Sequence, residues 1–326
     1  MTTAPYAMPA APHTASAIEV TASDRDGALT PAPGRVRTTG IWETMTSLHP
    51  RDRVLAGLPP SRMIDVAGVP TAVLEAGDGP PLLLLHGGIE CGGAMWARCS
   101  HNAQHHRVVA PDVPGLGASA PLDRLDTESF SRWLAGLVEQ TGLEDPTVVA
   151  HSLIGGLAVR VATRADKLID RLVVYAAPAV GPYRMPLRLR FVAIRFAIRP
   201  TPRNAERFYR FALLDLDATR RRDPEWFEAF DAYTRSRARE PHVKKTMRQL
   251  VATQTTPIPD TELARMGVRT TLLWGRHDRM VPLAVGEVAA ARHGWSLHVI
   301  DHAAHAPHIE QPDAFVEILT AITATD

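Results

Sequence analysis

The sequence predicts an α/β fold: a doubly wound, mostly parallel sheet with a helical cap inserted between two strands. Short apolar runs alternate with helical periodicity along most of the chain. The alternation stops after Ala177 and resumes at Thr270, leaving helical, Arg-rich sequence from about Gly181 to Pro259. Residues able to do chemistry gather just past the ends of the apolar runs, at the carboxyl edge where open α/β sheets bind ligands.

The elements follow in order. Residues 1–60 are expected to be a disordered N-terminal extension, because Met1 to about Gly40 is rich in Ala, Pro and Thr and lacks periodicity. A short helix is expected within Ile41–Leu58. Met63–Val66 and Thr71–Glu75, joined by Ala67-Gly68-Val69-Pro70, read as an antiparallel hairpin. Pro81–Leu85 is continuously apolar, which suits a strand covered on both faces. Arg107–Ala110 is a strand and Glu128–Thr141 a helix. Strand Thr147–His151, helix Leu153–Ala162 and strand Leu172–Ala176 follow. After the cap come strand Thr270–Trp274, helix Ala284–Arg292, strand Ser296–Ile300 and helix Asp313–Thr323. The core is thus expected at 61–180 and 260–326, and the cap at 181–259. No internal repeat is visible.

Composition narrows the function. The chain has 326 residues and a formal net charge of +1, so no global field argues for nucleic acid or a membrane as partner. No apolar run approaches the roughly 20 residues of a membrane span. The N-terminus lacks the basic start and apolar core of a secretory signal, so a cytoplasmic location is expected. The two cysteines, Cys91 and Cys99, make no disulfide framework and no metal spacing. Cys91 lies near a loop of the expected site, and a packed, inert thiol is the simpler reading.

The most informative stretch is Thr147-Val148-Val149-Ala150-His151-Ser152-Leu153-Ile154-Gly155-Gly156. A β-branched run ends at one serine and a glycine pair opens a helix, so Ser152 sits at the apex of a strand–turn–helix. A serine nucleophile needs a base, an acid that orients the base, and donors for an oxyanion. Asp278 follows one strand and His305 another; they would be the acid and the base. His86-Gly87-Gly88 follows Pro81–Leu85, where a backbone without side chains can turn an N–H of Gly88 to a substrate oxygen. The N–H of Leu153 would be the second donor. Each residue has a plainer reading. Ser152 could cap a helix, as could Asp278, and the glycines could form a simple turn. His302, His305 and His308 could suggest a metal, but no matching cysteine or carboxylate spacing accompanies them. No metal and no cofactor are expected.

Taken together, these motifs resemble a lidded member of the α/β-hydrolase superfamily. The matching segments are His86-Gly87, Asp112-x-Pro114-Gly115-x-Gly117-x-Ser119, His151-Ser152, Trp274-Gly275-x-x-Asp278-x-x-Val281-Pro282 and His305-x-Pro307-x-x-Glu310-x-Pro312. The chain order is serine, acid, histidine. The resemblance implies a serine hydrolase that forms an acyl-enzyme on a carboxylic ester or lactone, with Ser152, His305 and Asp278 as triad. One departure stands out: where the family has Gly-x-Ser-x-Gly, this chain has Ala150 and Ile154. Ile154 is expected to pack beside the turn and leave Ser152 competent. Two alternatives remain. The stretch Gly275–Pro282 is also similar to hydrolases of carbon–carbon bonds in ring-cleavage products, and Ile154 leaves room for a binding protein on a retired hydrolase fold. Epoxide and haloalkane hydrolases place an aspartate where Ser152 stands.

The cap is expected to select a small-molecule substrate with an apolar acyl or aryl group. Its arginines, Arg184 to Arg210, are read as solvated or paired, with one or two available for a carboxylate. Leu187, Phe191, Ile194, Phe208 and Phe211 recur at helical spacing and are read as sealing the cap onto the core.

Overall fold

The computed structural model describes residues 49–99, 104–164 and 168–324. The expected disorder of Met1–Gly40 lies outside the described residues. The chain enters through a short helix, α1 (Pro50–Val54), and the hairpin β1 (Arg62–Val66) and β2 (Val69–Ala76). Then come β3 (Pro81–Leu85), α2 (Gly92–Cys99), β4 (Arg107–Pro111), α3 (Thr127–Thr141), β5 (Thr147–His151), α4 (Ser152–Ala162) and β6 (Arg171–Tyr175). Five helices follow before the sheet resumes: α5 (Leu187–Ile198), α6 (Pro202–Ala212), α7 (Leu216–Arg222), α8 (Pro224–Arg237) and α9 (Pro241–Gln254). A single turn, α10 (Asp260–Leu263), leads to β7 (Arg269–Gly275), α11 (Leu283–His293), β8 (Ser296–Ile300), α12 (Pro307–Glu310) and α13 (Pro312–Ala324).

The eight strands form one sheet in the order β1-β2-β4-β3-β5-β6-β7-β8. Only β2 runs antiparallel to its neighbours β1 and β4; the rest of the sheet is parallel. Alternate residues of the central strands feed opposite cores, as the period of two requires. Leu83, Leu85, Val148, Ala150, Leu172 and Val174 pack with α3, α4 and α11. Leu82, Leu84, Val149, Val173 and Tyr175 pack with Met95 of α2 and Phe315, Leu319 and Ile322 of α13. Both faces are covered, which is why these strands read as unbroken apolar runs.

A third core joins the inserted helices to the sheet-bearing part. Tyr209, Phe227, Phe230 and Tyr233 pack with Val54, Cys91 and Ala94, and with Ala306 and Ile309 on either side of the α12 start. Residues 49–60 therefore do not belong to a disordered extension. The Val54 side chain is fully buried, and Arg51 reaches the Asp112 carboxylate. α1 lies within the Ile41–Leu58 span where a short helix is expected; what so short an element packs against is not legible in its sequence.

The cap corrects a second expectation. Leu187, Phe191 and Ile194 do not seal it; they are 80%, 63% and 49% exposed. Leu189 and Phe196, on the opposite side of α5, are buried instead, and Phe196 stacks on Phe208. The helix has two apolar faces, and periodicity alone does not say which one turns inward.

Candidate active site

The chain passes from β5 into α4 within one residue. Ser152 adopts φ +54°, a left-handed conformation that costs a non-glycine residue about 1–3 kcal/mol. Its hydroxyl does not cap the helix. It donates to His305 Nε2 at 2.9 Å. His305 Nδ1–H donates to Asp278 Oδ2, also at 2.9 Å. Asp278 Oδ1 accepts the N–H groups of Met280 (2.7 Å) and Val281 (2.9 Å). The aspartate thus closes its own loop and fixes the imidazole tautomer; it does not cap α11, whose N-cap is Pro282 with no side-chain bond. Fold and loop bring together three side chains that the sequence separates by 126 and 27 positions, residues 152, 278 and 305.

Ile154 is fully buried among the apolar residues of one sheet face. The close approach of helix to strand falls one residue later. A Cβ on Gly155 would stand 2.9 Å from the Ala150 carbonyl oxygen, and one on Gly156 2.9 Å from Ala179 Cβ. The small residues this approach needs are therefore Gly155 and Gly156, and Ile154 is buried in the core.

The histidine loop is held by the cap. His305 N–H donates to the Ala212 carbonyl at 2.9 Å, at the end of α6. Glu310 bridges the two parts: Oε1 accepts the Leu214 N–H and Oε2 the Ala304 N–H at 2.7 Å. Burial above all raises the Glu310 pKa, against those two bonds. Arg279, next to Asp278, donates to the Leu213 carbonyl at 2.5 Å.

Beneath the site lies a group that sequence reasoning missed. His151 Nε2–H donates to the His305 carbonyl at 3.0 Å, and the ring stacks on Tyr175 with centroids 4.4 Å apart. Its Nδ1 faces Glu90 Oε2 at 3.5 Å, and His308 Nε2 lies 3.8 Å from the same oxygen. Glu90 also accepts the Gly87 N–H at 3.0 Å. Burial pushes the Glu90 carboxyl upward, yet His151 first and His308 after it hold it well below the usual carboxylate range. Glu90, His151 and His308 place one donor atom each within 4.8 Å of one another, a set with the chemistry to hold a cation. The sequence offered two partial hints: His308 belongs to the histidine triplet weighed as a metal site, and Glu90 stands three positions after Gly87. Gly87 itself must be glycine, because a Cβ there would lie 2.4 Å from His151 Nδ1.

His305 feels all of this. Burial pushes its pKa down, but the Asp278 charge and hydrogen bond, then the charges of Glu90 and Glu310, push it up, and the net shift is upward. His86 is neutral: its Nε2 accepts the Val113 N–H at 2.9 Å and its Nδ1–H donates to the Gly87 carbonyl at 2.8 Å. Burial chiefly lowers its pKa.

The other expected residues are placed as follows. Gly88 lies just past β3, the neighbour of β5, and its Cβ position is 3.3 Å from Met247 Cε of α9. Leu153 is the second residue of α4. His302 is exposed, so it does not converge with His305 and His308. Cys91 is buried and free, and burial pushes its thiol up to about 12, which makes it unreactive. The Cys99 side chain lies outside the described residues.

A model of the alpha/beta hydrolase family matches residues 82–318, and the chain belongs to that family. It is a hydrolase. The chain is 27% identical over 279 residues to 2-hydroxymuconate semialdehyde hydrolase of Pseudomonas putida, covering 79% of this chain and 92% of that one. Among solved structures, a membrane phospholipase A superposes with a TM-score of 0.70 at 22% identity, over 86% of this chain and 91% of that one. A thermophilic esterase from Thermogutta terrifontis superposes with a TM-score of 0.67 at 24% identity, over 81% and 98%. No helix among the described residues is long and apolar enough to cross a membrane.

Proposed function

We propose that the protein is a serine hydrolase that cleaves a carboxylic ester or lactone through an acyl-enzyme. The unbroken hydrogen-bond chain from Ser152 through His305 to Asp278 carries this reading. His305 Nε2 takes the hydroxyl proton as Ser152 Oγ attacks the carbonyl carbon. Asp278 stabilises the imidazolium that forms. The N–H groups of Gly88 and Leu153 receive the oxyanion, the latter aided by its place in the first turn of α4. The imidazolium then gives its proton to the leaving oxygen. Water, deprotonated by His305, attacks the acyl carbon and releases Ser152. Met247 beside Gly88 offers an apolar wall and favours an apolar acyl or aryl group. The second reading, carbon–carbon bond hydrolysis, is favoured by the likeness to the semialdehyde hydrolase.

A fluorophosphonate probe should modify wild-type protein at Ser152, and p-nitrophenyl esters should turn over faster than a ring-cleavage dienoate. Faster dienoate turnover would select the second reading. Absence of both labelling and turnover would remove the enzymatic interpretation of the triad.

The partly buried Glu90 carboxylate gives a pH test. His305 must be neutral to act as base, and its pKa is raised, so kcat/KM should climb with pH through a limb above about 6.5. Glu90→Gln removes a negative neighbour, which disfavours the imidazolium. The limb should then move to lower pH. A limb that stays put or rises would show that Glu90 does not act on His305.

A further inference from the structure

We propose that α5 is an interfacial helix that docks the cap onto an anionic phospholipid surface. The inference does not depend on which bond the enzyme cleaves. Two observations on the same helix carry it. The first is an outward apolar stripe. Leu187, Phe191, Ile194 and Ile198 are 80%, 63%, 49% and 69% exposed. At 3.6 residues per turn they fall within an arc of about 60°. They are four of only six large apolar side chains that stand exposed among the described residues, the others being Met63 and Leu214. Buried Leu189 and Phe196 hold the opposite side of the helix, so the stripe is not the face that binds the fold.

The second observation is charge. From Gly181 to Ala205 the chain carries Arg184, Arg188, Arg190, Arg195, Arg199 and Arg203 and no Asp or Glu. All six are exposed, and none pairs with a carboxylate among the described residues. On the helical wheel Arg188 and Arg195 flank one side of the stripe and Arg190 the other. Arg195 lies over the Phe191 ring at 5.8 Å, so its stem already follows the apolar surface. An apolar stripe bordered by arginines is what a helix lying in a lipid interface requires: the stripe enters the acyl boundary and the guanidinium groups meet phosphates. The pairing arginines of the cap are elsewhere: Arg210 on α6 and Arg220 on α7 meet Glu206 and Asp217, and Arg235 on α8 meets Asp231. The net charge of +1 conceals this, because acidic residues in other segments balance the cluster. The expectation that no membrane is involved rested on that net charge and on spans, and neither reports a helix that lies flat.

The test is co-sedimentation of the full chain with vesicles of phosphatidylcholine alone, or of phosphatidylcholine mixed with phosphatidylglycerol. Binding is expected to the mixed vesicles and to weaken strongly between about 0.15 M and about 1 M salt, as the Debye length falls from about 8 to about 3 Å. Arg188→Gln and Arg195→Gln should each weaken it roughly fivefold. Phe191→Ser with Ile198→Ser should abolish it, while thermal unfolding and turnover of a soluble ester stay at wild-type values. Equal binding to both vesicle types, no binding to either, or wild-type binding by the double serine variant would overturn the proposal. So would self-association of the chain, or binding to a DNA duplex, that is lost in these variants while vesicles remain unbound.

Discussion

Ser152→Ala is expected to lower kcat by about 10⁴-fold or more while the protein still folds and binds substrate. The oxygen removed is the one that faces His305 Nε2 at 2.9 Å, and no other hydroxyl is described within reach of that nitrogen. His305→Ala should cost a comparable factor. The double variant should lose little more than either single one, because the groups act as one unit. Initial rates on one ester for the three variants, with circular dichroism to confirm folding, make the measurement. Retention of most activity by Ser152→Ala would remove the serine from the mechanism. A double variant losing the product of the two single factors would mean that serine and histidine work independently.

Asp112→Ala is expected to destabilise the fold by about 3–5 kcal/mol. This carboxylate is 1% exposed and fully committed. Oδ1 accepts the Gly92 N–H at 2.8 Å, and Oδ2 accepts the Ala118 N–H at 2.7 Å and Arg51 Nε–H at 3.0 Å. Removing it strands a guanidinium that is only 9% exposed, together with two backbone donors. Arg51→Met in the same background should recover part of the loss, since the uncompensated charge is gone. Urea unfolding of wild type, Asp112→Ala, Arg51→Met and the double variant gives the coupling. A loss below about 1 kcal/mol for Asp112→Ala would mean that water reaches Arg51 and the two donors.

Much of the site was legible in the sequence. Ser152, Asp278 and His305 each follow an apolar run, and in a parallel sheet every such run ends at the same edge. Their chain order and flanking Gly and Pro residues then identified the motif. The supports of those residues were not legible. Glu90, His151 and His308 come from a loop, the end of β5 and α12, and nothing in their spacing announces that they meet beneath His305. Arg51 lies in a segment with no readable purpose, and its meaning appears only where it reaches Asp112. The cap's hold on the histidine loop, through Ala212 and Leu214, uses backbone groups, which carry no residue identity at all.

The departure at Ile154 shows where reading by motif stops. Ile154 is expected to pack beside the turn and does so, filling a core, while the helix meets the strand one residue later, at Gly155. Contact between backbones, not the motif, sets which position must be small.

From the order of its residues alone, the chain determined a parallel sheet, a helical insertion and the three side chains set at the sheet's carboxyl edge. Local periodicity and turn chemistry report such features because they act over a few neighbouring residues. Only the tertiary structure decided which face of α5 turns outward, which charges surround His305 and what holds its loop. Those outcomes depend on distant segments meeting, and burial, charge pairing and close approach exist only once they have met.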